Sequence, residues 1–251
     1  MIRLFVSDLD GCISYPFRPP PLDAISELVS LHNRRESDPA VPLLTLCTGR
    51  PLAYAEAVAQ WLSVTVPILF ESGCGMYDPT RIQVSWSPRI TGATKRALDQ
   101  LRHVIHRDVA QHHPGTMPEF AMRIDVGVVN PDRQRVRDLR QAVETLVADY
   151  PDAELEVHDT PVSVNVIPRA ANKGAGVAWL AEHLGLSLDE VAYMGDSQGD
   201  ISALTRVAMP FAPANAAAEV KALARVTRGE ATLGLVEAFR AVVEYNRISA
   251  R

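Results

Sequence analysis

The chain has 251 residues, of which 47% are hydrophobic and 22% charged, with a formal net charge of −5. That length supports one large domain or two modest ones, each with a real core. The acidic balance argues against nucleic acid or an anionic membrane as the main partner. The absence of a spanning-length apolar stretch and of a leader pattern leads us to expect a cytoplasmic protein.

The first predicted strand covers Leu4–Val6 and runs directly into "SDLDG", which places Asp8 and Asp10 at its end. A proline-rich loop follows, then a helix pattern around Ala24–His32. The strand "VPLLTLCT" leads into a helix with Pro51 at its first position, where proline is tolerated. "PILFESG" reads as a third strand. The pattern then changes. "IQVSW" precedes a helix over about residues 91–111, and "AMRIDVGVV" reads as a strand in which Met122, Ile124, Val126 and Val128 face one way. A helix over residues 132–150 and the strands "ELEVH" and "VSVNVI" follow. Strict alternation gives each of these strands one dry face, which two helices can cover.

From Asn172 the first logic returns. "KGAGVAWLAEHLG" carries a helical stripe ending on Gly185. The strand "VAYMGD", the helix "DISALTRV", the strand "AMPFA", the helix "NAAAEVKALA" and a last long helix after Gly234 complete the chain. Short apolar strands alternating with helices predict an α/β fold, with a Rossmann-like parallel sheet covered on both faces. Residues 1–78 and 168–251 are expected to form this core, and residues 79–167 a small inserted α+β domain.

Ligands of open parallel sheets bind beyond the carboxyl ends of the strands. Three predicted strands end there on polar groups: Asp8–Leu9–Asp10, Thr48–Gly49–Arg50 and Gly195–Asp196. Lys173 sits at the start of a helix, where a cation opposes the helix dipole, so an anionic ligand or the carboxylates themselves explain it better than local preference does. Asp8, Asp10, Asp196 and Asp200 can converge at one sheet edge. Uncompensated, they would raise one another's pKa values, and a hard divalent cation such as Mg²⁺ removes the conflict. The cysteines Cys12, Cys47 and Cys74 are odd in number and widely spaced, so buried reduced thiols are expected. His103, His106, His112 and His113 have histidine spacings that suggest zinc, but no partner cysteine or acid completes a site, and a surface position is favoured.

"DLDG", "TGR", "KG" and "GDSxxD", in that order, resemble the four motifs of the haloacid dehalogenase-like phosphohydrolases. The insertion between the second and third motifs resembles the type IIB cap of Cof-like and sugar-phosphate phosphatases. The resemblance implies Asp8 as nucleophile through an aspartyl-phosphate and Asp10 as general acid and base. It implies Mg²⁺ held by Asp8, the Asp10 carbonyl and Asp196, with Asp200 and Ser197 in support. Phosphoryl oxygens would be bound by Thr48 and Lys173 with the backbone around Leu9 and Gly49. Cys12, Ser72 and Gly199 depart from the family pattern, standing where threonine, asparagine and asparagine are usual.

In this cap type the open sheet face lies over the active site. Alternation assigns Arg123, Asp125, His158, Ser163 and Asn165 to that face as candidate substrate readers, against the simpler reading of a solvated face. The resemblance thus implies a phosphomonoesterase acting on a small phosphorylated metabolite, a sugar phosphate or a phospho-acid, as monomer or homodimer. A phosphomutase or phosphotransferase would use the same aspartate. A non-catalytic phospho-ligand sensor would be expected to have lost one of Asp8, Asp10, Lys173 or Asp196, and all four are present.

Overall fold

The computed structural model describes residues 1–249. The chain divides into two compact units, Met1–Ser85 with Lys173–Arg251, and Trp86–Asn172. In chain order the first unit opens with β1 (Leu4–Ser7), α1 (Leu22–His32), β2 (Leu43–Leu46), α2 (Leu52–Trp61), β3 (Ile68–Phe70), β4 (Gly75–Asp78) and β5 (Gln83–Trp86). The second unit holds α3 (Gly92–Val104), continued by a π turn (Ile105–Val109) into α4 (Ala110–His112), then β6 (Met117–Pro118), β7 (Val126–Val129), α5 (Arg133–Val147), β8 (Leu155–Asp159) and β9 (Ser163–Pro168). The chain returns to the first unit with α6 (Lys173–His183), β10 (Val191–Met194), α7 (Ile201–Leu204), β11 (Met209–Ala212), α8 (Ala218–Lys221), β12 (Arg225–Val226) and α9 (Ala231–Ser249).

The main sheet is parallel throughout, in the order β12-β11-β10-β1-β2. β1 is an interior strand between β10 and β2 and is wholly buried, which explains its unbroken apolar run. Leu4 and Val6 join the core cluster that includes Val177, Leu180 and Leu204 from α6 and α7. Phe5 points to the other side, with its ring 5.5 Å from that of Phe239 on α9 and 5.9 Å from that of Phe211. Asn246 of α9 is fully buried, and its amide bonds both the N–H and the carbonyl of Ile2 at 2.7 Å, anchoring the helix to the start of the strand. The chain leaves β1 for β2 on one side, while β10 pairs on the other. Open parallel sheets place their ligands at such a divergence, and here it lies at the carboxyl end of β1, where Asp8 follows.

Several elements differ from expectation. The third strand is not part of the main sheet. β3 pairs with β4 in a separate three-stranded sheet that β5 completes, and meets the end of β2 through a bridge between Cys47 and Leu69 and a bond from the Thr48 N–H to the Leu69 carbonyl. The pattern does not foresee β4, β6 or β12, because two- to four-residue strands carry too little periodicity. The expected helices over "DISALTRV" and "NAAAEVKALA" shrink to four residues each, and the last helix begins at Ala231, before Gly234. No described helix is long and apolar enough to cross a membrane.

In the second unit the sheet order is β6-β7-β9-β8, antiparallel throughout. Val126, Val128, Val164 and Val166 line its dry face, against the buried Leu98 and Leu101 of α3 and Leu139 and Val143 of α5. α5 starts where the Asp132 side chain accepts from the N–H groups of Gln134 and Arg135, satisfying two donors the helix leaves open.

Candidate active site

The turn after β1 brings the acids together. The Leu9 carbonyl accepts from the N–H groups of Cys12, Ile13 and Ser14, which curls the chain tightly. Gly11 at the bend has φ +76°, and a Cβ there would collide with the Asp196 carboxylate. Only glycine satisfies both conditions, and the close approach explains why it follows Asp10 directly.

Lys173, the first residue of α6, is buried between two carboxylates. Its Nζ lies 2.8 Å from Asp8 Oδ1 and 2.7 Å from Asp200 Oδ1. Burial works against its charge, yet the two aspartates outweigh it and hold the ammonium protonated far above its usual range. Burial likewise works against the Asp200 carboxylate, but the charge and hydrogen bond of Lys173 win, and its pKa falls below the ordinary value. Asp200 is also saturated with donors. Tyr193 Oη gives to Oδ1 at 2.7 Å, and the N–H groups of Asp196 and Ser197 and the Ser197 hydroxyl give to Oδ2 at 3.0–3.1 Å. Asp200 is therefore the fixed counter-charge of Lys173 and the staple of the loop carrying Asp196. Glycine at position 199 costs it nothing, because Ser197 and Tyr193 supply the side-chain donors.

Asp8 and Asp196 are in the opposite condition. Burial first, and then the charge of Asp200, push the Asp8 carboxyl well up, while Lys173 engages only one of its oxygens. Asp196, also raised chiefly by burial and by Asp200, titrates at about 7 and forms no ion pair among the described residues. Ligand-type atoms of Asp8, Cys12 and Asp196 lie within 4.8 Å of one another, the one such convergence among the described residues. Two carboxylates crowded together without a cation between them fit a hard divalent ion. The Cys12 thiol is kept protonated by burial and by the acids, so it is a poor ligand beside them.

Thr48 is fully buried beyond β2, and its hydroxyl oxygen accepts from the Arg50 N–H at 3.1 Å. The N–H groups of Leu9, Asp10 and Gly49 have no acceptor among the described residues. Such a set of donors suits an oxyanion. Ser72 closes the neighbouring turn at φ +58°, donating its N–H to the Thr48 carbonyl at 2.9 Å.

The sequence pattern missed two contributors. Tyr193 lies within a strand that reads as pure core, and nothing local signals that its hydroxyl reaches Asp200. Arg50 grips both oxygens of Asp10, with Nε to Oδ2 at 2.7 Å and Nη2 to Oδ1 at 2.9 Å. Its place in "TGR" was the available signal.

The candidate residues of the second unit need correction. Arg123 and Asp125 lie before β7, in a bent segment, so strand alternation does not govern them. Arg123 is exposed. Asp125 is 2% exposed, against the expected open position, and accepts from Asn165 Nδ2 at 2.9 Å. Asn165 and His158 are cross-strand partners and half-buried, with His158 bonded to Glu156 at 2.9 Å; Ser163, also half-buried, meets Thr160 at 2.8 Å. Of the histidines in the α3–α4 stretch, His103 bonds Arg107 and His112 the Asp108 carbonyl within the same stretch, while His106 reaches the Gly127 carbonyl on β7.

Comparison with known proteins agrees with this geometry. The haloacid dehalogenase-like hydrolase family matches residues 123–236. A phosphoglycolate phosphatase of Methanococcoides burtonii is 28% identical over 239 residues, 95% of either chain. One of Pyrobaculum neutrophilum is 28% identical over 94% of this chain and 93% of its own. Among solved structures, a haloacid dehalogenase-like hydrolase from Bacteroides thetaiotaomicron superposes with a TM-score of 0.72 at 17% identity, covering 96% of this chain and 100% of its own. The sucrose-phosphatase of Synechocystis, solved with sucrose and phosphate, does so with a TM-score of 0.71 at 18% identity over 96% and 98%. In its fold and, over residues 123–236, in its sequence, the chain is similar to haloacid dehalogenase-like hydrolases.

Proposed function

We propose that the chain hydrolyses phosphate monoesters of small metabolites, with a phospho-acid or a sugar phosphate as substrate and Mg²⁺ as its cation. It is an enzyme of the phosphomonoesterase class. One observation carries the reading: Asp8 directly follows the buried strand β1, with one carboxylate oxygen on the buried Lys173 and the other without such a partner among the described residues. Full-length relatives named phosphoglycolate phosphatase, and a structural neighbour solved with sucrose and phosphate, support the choice of substrate class.

In the proposed reaction an Asp8 oxygen forms a bond to phosphorus as the bond to the alcohol oxygen breaks, and Asp10 supplies the proton that oxygen needs. Water then attacks phosphorus and gives its proton to Asp10. The Asp8–phosphorus bond breaks, releasing phosphate and restoring the carboxylate. Lys173, the Thr48 hydroxyl and the N–H groups of Leu9 and Gly49 hold the phosphoryl oxygens, so the chain mainly positions the group and neutralises its charge. Asp8, Asp196 and the Asp10 carbonyl would hold Mg²⁺. When bound, it would offset the negative charge of the acids and the phosphoryl group.

The test is hydrolysis of p-nitrophenyl phosphate and 2-phosphoglycolate with Mg²⁺ or with EDTA, beside Asp8→Asn. Turnover should require the metal, and the variant should lose on the order of 10⁴-fold or more while melting at an unchanged or higher temperature. Metal-independent turnover, or an active Asp8→Asn enzyme, refutes the mechanism. Turnover that appears only with a sugar acceptor would instead make the protein a phosphotransferase.

A further inference from the structure

Asp10 and Asp8 are two residues apart but held in different ways. Lys173 takes one oxygen of Asp8 in a buried pair, with side chains 8% and 6% exposed. Arg50 takes both oxygens of Asp10 in a pair that solvent reaches, with side chains 24% and 30% exposed. The guanidinium is also steadied on two aromatic faces, its central carbon 5.1 Å from the ring centre of Tyr54 and 5.7 Å from that of Phe17. Phe17 is 76% exposed at φ +59°, an uncommon place and backbone conformation for a large apolar side chain.

This arrangement conflicts with the task given to Asp10 above. Both of its oxygens lie in the arginine fork, whereas the reaction needs one of them at the leaving oxygen. An oxyanion entering the fork would release Asp10. The phosphoryl group already has Lys173, Thr48 and three open backbone donors. What remains of the substrate is the alcohol, and a carboxylate on it matches a guanidinium that holds a carboxylate with two parallel hydrogen bonds.

We propose that Arg50 is a positioning residue that exchanges Asp10 for a carboxylate on the leaving alcohol, so that the matching ester itself frees Asp10 for the reaction. The preferred substrates are then phosphate monoesters of short hydroxy acids. The assignment rests on the phosphomonoesterase reading and deepens it.

The experiment compares 2-phosphoglycolate with ethyl phosphate, which replaces the carboxylate by a methyl group, on wild type, Arg50→Met and Arg50→Lys. For 2-phosphoglycolate, Arg50→Met should lower kcat/KM by about 100-fold, with most of the loss in KM, as expected for a missing charge-assisted bidentate contact. The loss on ethyl phosphate should be about tenfold smaller or less, and lysine should restore only part of the difference, since an ammonium cannot form the fork. Equal losses on the two esters would overturn the assignment and give the fork to the phosphoryl group or to Asp10 alone. Unchanged kinetics in both variants would also overturn it. If wild type turns over neither ester, the phosphomonoesterase reading fails and takes this assignment with it. If it turns over both and the variants do not discriminate, only the role of Arg50 fails. Melting curves confirm that the variants fold, and Arg50→Lys keeps the comparison open should Arg50→Met not fold.

Discussion

The two units of this chain treat polar side chains in opposite ways. At the edge of the parallel sheet, Lys173 and Asp200 are buried almost completely and every polar atom of Asp200 is engaged. On the antiparallel sheet of the inserted unit, His158, Ser163 and Asn165 stay half-exposed and bond mainly to near neighbours, while Asp125 and Asn130, which flank β7, are buried. The difference follows from architecture. A parallel sheet covered on both faces leaves its strand ends as the place where charge can gather, and charge gathered there must be paired. A sheet with one solvated face can carry polar groups singly and at little cost. Preorganised electrostatics therefore belong to the first unit, and adaptable side chains to the second.

Three substitutions test that contrast. Lys173→Met should have the largest effect, because it leaves Asp200 and Asp8 buried without their cation; a loss of about 3–5 kcal/mol in urea unfolding is expected. Lys173→Met combined with Asp200→Asn should recover part of it, since the two sites are in contact and their effects are not additive. The pH dependence has a definite sign. The folded-state pKa of Asp200 lies below its ordinary 3.8. Its contribution is therefore complete above that value and is lost as the pH falls through the lower folded-state value. The penalty of Lys173→Met should accordingly shrink in acid. A penalty that does not change with acidification would mean that the pair is not what the lysine stabilises.

A middle-sized effect is expected from Asn165→Ala, which removes one donor from the buried Asp125 carboxylate. About 1–2 kcal/mol should be lost, measured by the same unfolding assay. A loss as large as that of Lys173→Met would erase the distinction between the units. The smallest effect should come from Arg140→Ala. This side chain bridges Glu144 and Asp159 on the surface of the inserted unit, and exposed pairs of this kind contribute about 0–1 kcal/mol. Added salt should remove whatever difference remains, because exposed charges are screened.

The alternation of short apolar runs with helical stripes, the polar residues at the ends of β1, β2 and β10, and the lysine opening α6 are properties of local order along the chain. Sequence alone therefore determined the α/β class, the inserted unit, and Asp8, Asp10, Thr48, Lys173 and Asp196 as the residues to examine. It could not assign partners. Lys173 meets Asp200 across 27 positions and Arg50 meets Asp10 across 40, and such meetings depend on strand order and register. The burial of Asp125 was illegible for a related reason: the strand that would have set its facing begins only at Val126, one residue later. Tertiary structure decided which acid is neutralised by lysine, which is clasped by arginine and which is left at about 7. Charge pairing depends on distance in space and on exclusion of water, and neither is a local property of the chain.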